Sequence, residues 1–179
     1  MKGKVCACIG QKPSSLPFCF DETDERCVRL KEFLRKNTES LIREEGVVHF
    51  ISDMTLGANT YFAETVLELR DEKYPDITFE AAIPYETQAE NWSESQRDRY
   101  YSAVSRCDTE TLLQTVYTED CMRRCDMYMI DRCDYLIAIW DGSHDSVGVA
   151  VRYAGKSGKN IIQTDPRFLE SEREEGIYA

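Results

Sequence analysis

The stretch Ser52-Asp53-Met54-Thr55-Leu56-Gly57-Ala58-Asn59 joins a β-branched apolar run, VVHFIS, directly to a helical pattern. A tight turn of this kind presents free backbone N–H groups and the positive end of a helix dipole, an arrangement that holds phosphate. Gly57 permits close backbone approach or a positive φ. Asp53 opposes an anion. Its carboxylate either bonds N–H groups at the helix start or accepts from a ribose hydroxyl. Asn59 is either a helix cap or a ligand contact. A single glycine is a weak phosphate signature, so the turn gains meaning only beside other loops.

Those loops are present. After the first apolar run come Gly10, Gln11 and Lys12, whose ammonium either meets a phosphate or stands solvated before Pro13. The segment IPYETQAENW carries Pro84, Tyr85 and Trp92, aromatic groups that stack on a base or pack half-buried. Arg124, in a helical stretch, offers a guanidinium or lies on a solvated face. The segment WDGSHDSVG brings Asp141, Gly142 and Gly148 to a strand end. Ser52 and Met54 complete the candidate ligand-binding set.

Catalytic and metal signals are thin. Glu64 is the best acidic candidate for catalysis, with a solvated helix residue as its alternative reading. His49 falls inside a strand and is expected as a hydrogen-bonded core residue; His144 lies in a loop. No Ser/His/Asp or Cys/His arrangement can be assigned. The eight cysteines lack paired C-x-x-C or C-x-x-H spacing, so they read as small buried hydrophobes. No metal site and no cofactor are predicted.

Elements must position these groups. Strand-length apolar runs at 4–10, 47–52, 77–84, 110–116, 135–142 and 159–166 alternate with helical patterns at 24–46, 59–73, 92–107, 118–133 and 147–158. This alternation predicts right-handed crossovers and a mainly parallel sheet with helices on both faces, a Rossmann-like doubly wound α/β fold. One domain is expected over 1–179, with its core over about 4–166 and a charged C-terminal tail. Ligands in such sheets sit beyond the carboxyl ends of the strands, where strand order reverses.

Composition narrows the partners. The chain of 179 residues carries a formal charge of −11, which argues against a phosphate backbone, so no nucleic acid is expected. No apolar run is long enough to span a membrane, and the N-terminal apolar stretch is too short for a secretory signal. A cytoplasmic location is expected, with a homo-oligomer kept as an alternative state.

Taken in order, IGQKP…LPF, ISDMTLGANTYFAETVLELR, AAIPYETQAENWSESQRDRYY, CMRRCDMYMID and LIAIWDG…AVRYAGKSGK resemble the YpsA-like branch of the SLOG superfamily over roughly Val5 to Pro166. The resemblance implies a Rossmann-like fold and a nucleotide-like small-molecule ligand. It also marks departures. The branch usually has Gly-His-Arg-Pro where this chain has Gly10-Gln11-Lys12-Pro13. Asp53 replaces the first glycine of the second-strand loop, Thr55 an alanine and Asn59 an aspartate. An Arg-Asn pair appears as Cys125-Asp126, and a Gly-Gly-Thr as Asp145-Ser146-Val147.

These changes imply a pocket less positive and more crowded than the family's. The LOG-type active site needs a glutamate in the helix that DSVGVAVRY opens, and none is there. Phosphoribohydrolase activity of that type is disfavoured, and enzymatic activity in general is left open. The leading expectation is a sensor or regulatory binding protein for a nucleotide or nucleotide derivative. A hydrolase of an N-glycosidic or phosphate bond is the first alternative. A degenerate paralogue acting through protein contacts is the second.

Overall fold

A computed structural model describes residues 3–169; most of the charged tail read from the sequence lies outside them. Six parallel strands form one sheet in the order β4-β3-β2-β1-β5-β6. They are β1 (Lys4–Gly10), β2 (Val47–Ser52), β3 (Thr78–Ile83), β4 (Thr109–Leu112), β5 (Tyr135–Ile139) and β6 (Asn160–Thr164). The helices between them are α1 (Glu25–Glu45), α2 (Ala58–Glu72), α3 (Glu94–Ser105), α4 (Cys121–Arg132) and α5 (Ser146–Lys156). The doubly wound Rossmann-like architecture is the one expected.

Alternation along each strand divides the core in two. Cys6, Cys8 and Phe50 face the layer of α1, α2 and α3, packing with Leu30, Leu34 and Phe62. Ala7, Ile9, Ile51 and Ala82 face α4 and α5, against Met129, Ile130 and Val151. Small side chains on that second face let α4 and α5 come close. All eight cysteines are free, six of them buried, Cys107 half-buried and Cys19 exposed.

Local signals set the helix ends. Asp24 caps α1 through Arg26 N–H, and Gly46 ends it at φ 73°, a left-handed conformation that glycine adopts without penalty. Ser93 and Gln96 form a reciprocal capping box at α3. Several elements are shorter than the runs read from the sequence, β4 among them. β4 spans four residues; Leu113 N–H makes a last bond to Ile83 O, and the Gln114 side-chain Nε2 then donates to Val116 O and Thr118 Oγ1 in the loop that follows.

His49 is half-buried instead of fully inside, and it is hydrogen-bonded as expected. Its Nε2 lies 2.8 Å from Glu80 Oε2 and its Nδ1 2.7 Å from Thr78 Oγ1. Since a carboxylate only accepts, Nε2 carries the proton. Glu80, 6 % exposed, also accepts from Thr111 Oγ1 at 2.8 Å and Tyr128 Oη at 2.6 Å. One side chain thus ties β2, β3, β4 and α4 together.

Candidate functional site

β1 connects toward β2 on one side, whereas β5 connects toward β6 on the other. Loops leaving the carboxyl ends of these two neighbours diverge and open a crevice. A cavity of about 630 Å³ occupies it. Gly10, Gln11 and Lys12 line it from β1; Asp53, Thr55 and Asn59 from the β2–α2 turn; Asp145, Ser146 and Val147 from the start of α5. α4 contributes Met122, Arg123, Asp126, Met127 and Ile130, spaced to share one helical face.

Two glycines let the elements meet. A Cβ at Gly10 would lie 2.4 Å from the Ala58 side chain, so α2 can approach β1 only over glycine. Gly57 has φ 94°, and a Cβ there would lie 2.7 Å from Gln11 O. The same Gln11 carbonyl accepts from Ala58 N–H at 3.3 Å. The turn that looked like a phosphate cradle therefore has its first helical N–H taken by the neighbouring loop. Gly57 serves the packing of one loop on another.

Asp53 is 2 % exposed. Its Oδ1 accepts from Thr55 N–H at 2.9 Å, Thr55 Oγ1 at 2.7 Å and Asn59 Nδ2 at 2.7 Å, while Oδ2 has no hydrogen-bond partner among the described residues. Met54 beside it is held at φ 62°, a region non-glycine residues rarely occupy. Ser52 Oγ braces that turn, donating to Asn59 O and accepting from Met54 N–H. Burial pushes the Asp53 carboxyl above its usual range, against the bonds from Thr55 and Asn59.

Asp126 is half-buried, makes no hydrogen bond among the described residues, and is raised well above the usual carboxyl range by burial and then by the charge of Asp53. Lys12 pulls both carboxyls the other way from the exposed rim. On the far wall, Asp145 caps α5, its Oδ1 accepting from Gly148 N–H at 2.9 Å and its Oδ2 from Gln11 Nε2 at 3.4 Å. The groups that would cradle an anion are already filled by the protein's own acceptors.

The raised carboxyls give a stability prediction. In the folded state they hold protons that the unfolded chain releases near pH 4. Their cost is therefore absent below that range and grows as pH rises through it. Asp126→Asn removes one of the pair and is expected to stabilise the fold at pH 7.5 by about 1 kcal/mol. The gain shrinks toward pH 4. Urea midpoints at the two pH values measure it.

Gly10, Gln11, Lys12, Asp53 and Asn59 are brought together on the cavity wall. Other expected residues stand elsewhere. Arg124 points away and pairs with Asp120 at 2.7 Å, and Arg123 takes the cavity side. Tyr85 packs edge-on against Tyr117 and Trp92 against Tyr100, both off the cavity wall. Pro84 is buried in its loop. Asp141 accepts from Ser143 N–H and Gly142 turns at φ 85°, forming the bend after β5. A Cβ at Gly148 would meet Ser143 O at 2.9 Å and Trp140. Glu64 bonds Arg99, which also holds Glu22, so it joins α2 to α3 on the opposite face of the sheet.

Asp126 and Asp145 stand on the wall, although the sequence reading noted them only as departures from the family pattern and not as ligand contacts. Asp145 could have been found as an N-cap immediately before the helical run SVGVAV. Asp126 could have been found from its i+3 spacing to Arg123. No helix among the described residues is long and apolar enough to cross a membrane.

An all-parallel, doubly wound sheet with a cavity at its reversal of strand order is a Rossmann-like domain. The sequence matches the model of the YspA SLOG family (YpsA) over residues 6–161, and the chain belongs to that family. It is 28% identical over 159 residues to a UPF0398 protein of Bacillus pumilus (strain SAFR-032), covering 88% of this chain and 82% of that one. The UPF0398 protein YpsA of Bacillus subtilis (strain 168) is 27% identical over 140 residues, covering 77% and 76%. Among solved structures, DNA processing protein A of Helicobacter pylori, described with a single-stranded DNA binding mode, superposes with a TM-score of 0.60 at 14% identity. That match covers 98% of this chain and 71% of that one, a likeness of fold.

Proposed function

We propose that this protein is a cytoplasmic receptor for a nucleotide-derived small molecule, acting as a sensor or regulatory module. The cavity at the β1–β5 divergence carries the reading: its size suits a nucleoside-sized ligand, and its position is where doubly wound sheets bind such groups. Membership of the SLOG family supports the ligand class. Free, mostly buried thiols fit a reducing compartment. A net charge of −11 makes a long phosphodiester strand a poor fit, in contrast to what is described for the Helicobacter protein.

The test is a thermal-shift screen with nucleosides, mononucleotides, ADP-ribose and oligo-dT at matched salt. A ligand at about 100 times its dissociation constant adds about 2.7 kcal/mol of stability. Val149 is 49% exposed and lines the cavity, so Val149→Trp fills it with little disturbance to the core. The shift is expected with a small nucleoside derivative and is expected to vanish in Val149→Trp. A shift that survives this variant places the ligand elsewhere, and no shift across the panel removes the reading. Following the same mixtures for free base separates binding from turnover.

A further inference from the structure

The cavity wall changes character with depth. Gln11 and Asn59 are 1% and 3% exposed, both line the cavity, and Gln11 Oε1 and Asn59 Oδ1 have no hydrogen-bond partner. Their amide orientations are fixed by what the nitrogens do. Asn59 Nδ2 donates to Asp53 Oδ1 and Thr55 Oγ1, and Gln11 Nε2 donates to Asp145 Oδ2. Turning either amide over would set an oxygen against a carboxylate. Both free oxygens are buried, on residues that line the cavity.

Buried acceptors left unpaired are costly, and native structures rarely keep them without a partner. Four acceptor groups converge here: the two amide oxygens, Asp53 Oδ2 and the unbonded carboxyl of Asp126. No side-chain cation stands at this depth of the wall among the described residues. The cations are at the mouth, where Lys12 and Arg123 are exposed and free of hydrogen bonds and ion pairs among the described residues.

We infer that the cavity is polarised: its floor takes a hydroxyl- or amine-donating edge of the ligand, and any phosphate stays at the Lys12–Arg123 mouth. This rests on the receptor reading above and fixes the ligand's orientation within it. The amide oxygens and the free carboxyl oxygens accept from a vicinal diol or an amino group, whereas phosphate finds no cation there. The floor therefore selects by donors, and the mouth tolerates charge.

Calorimetric titrations of adenosine, cytidine, uridine, their 2′,3′-dideoxy forms and their 5′-monophosphates test this on the wild type, Asp126→Asn and Lys12→Ala. Asp126→Asn is expected to weaken the best-bound nucleoside about tenfold. Removing the engaged donor from the ligand costs about the same in the wild type and far less in Asp126→Asn, because the two changes delete one contact. Loss with the dideoxy forms assigns sugar hydroxyls. Loss with uridine relative to cytidine assigns the base amine.

Lys12→Ala is expected to weaken only the monophosphates. Tighter monophosphate binding by Asp126→Asn, together with no penalty for any missing donor, would place phosphate at the floor and overturn the inference while leaving the receptor reading intact. Absence of binding by every member removes both. Unfolding curves of the free variants show whether each is folded.

Discussion

Replacing Glu80 with alanine lowers stability at pH 7 by about 3 kcal/mol. Burial pushes this carboxyl up, but the bonds from His49, Tyr128 and Thr111 outweigh it and hold it at about 2 against an ordinary 4.5. A shift of that size corresponds to about 3 kcal/mol. Because the folded value is depressed, the contribution is complete above pH 4.5 and is lost as pH falls from there toward 2. The difference between wild type and Glu80→Ala in urea midpoint is therefore wide at pH 7 and narrow at pH 3. Acid thus acts oppositely on the two carboxyl sites: it costs stability at Glu80 and relieves the Asp53–Asp126 pair.

Gly57→Ala is expected to cost about 2–4 kcal/mol of folding stability. Two separate penalties meet at this position. The backbone sits at φ 94° and ψ −133°, where a side chain is strained. The new Cβ would also press on Gln11 O at 2.7 Å and Pro13 Cδ at 3.0 Å. Gly142 separates the two terms. It has φ 85° but open space around the would-be Cβ, so Gly142→Ala carries strain alone, about 1 kcal/mol. Chemical denaturation of the pair is expected to show the larger loss at Gly57. A substitution at Gly57 therefore reports on folding before it reports on phosphate.

The strands that frame the cavity were legible in the sequence because β1, β2 and β5 are continuous apolar runs closed by polar loops. The loops that hold Gln11, Asp53 and Asn59 followed from the rule that ligands sit at strand ends. What the sequence hid was rotation. One residue along a helix is about 100° around it, so choosing Arg124 over Arg123 depended on the phase of α4. That phase is set by Cys121, Cys125 and Met129 turning inward, a packing result that charge alone does not reveal. The aromatic pairs Tyr85–Tyr117 and Trp92–Tyr100 were hidden for a similar reason, since each ring turned onto another ring and not toward the cavity. Glu64 looked available until the fold supplied Arg99 from α3.

The distribution of thiols has a practical outcome. Cys19 alone is exposed, Cys107 is half-buried and the other six are buried. Alkylating reagents attack the accessible thiolate first, so brief maleimide treatment of the folded protein directs a fluorophore to Cys19. That position lies between the Gln11–Pro13 loop and α1 in the chain, giving an optical reporter without an engineered cysteine.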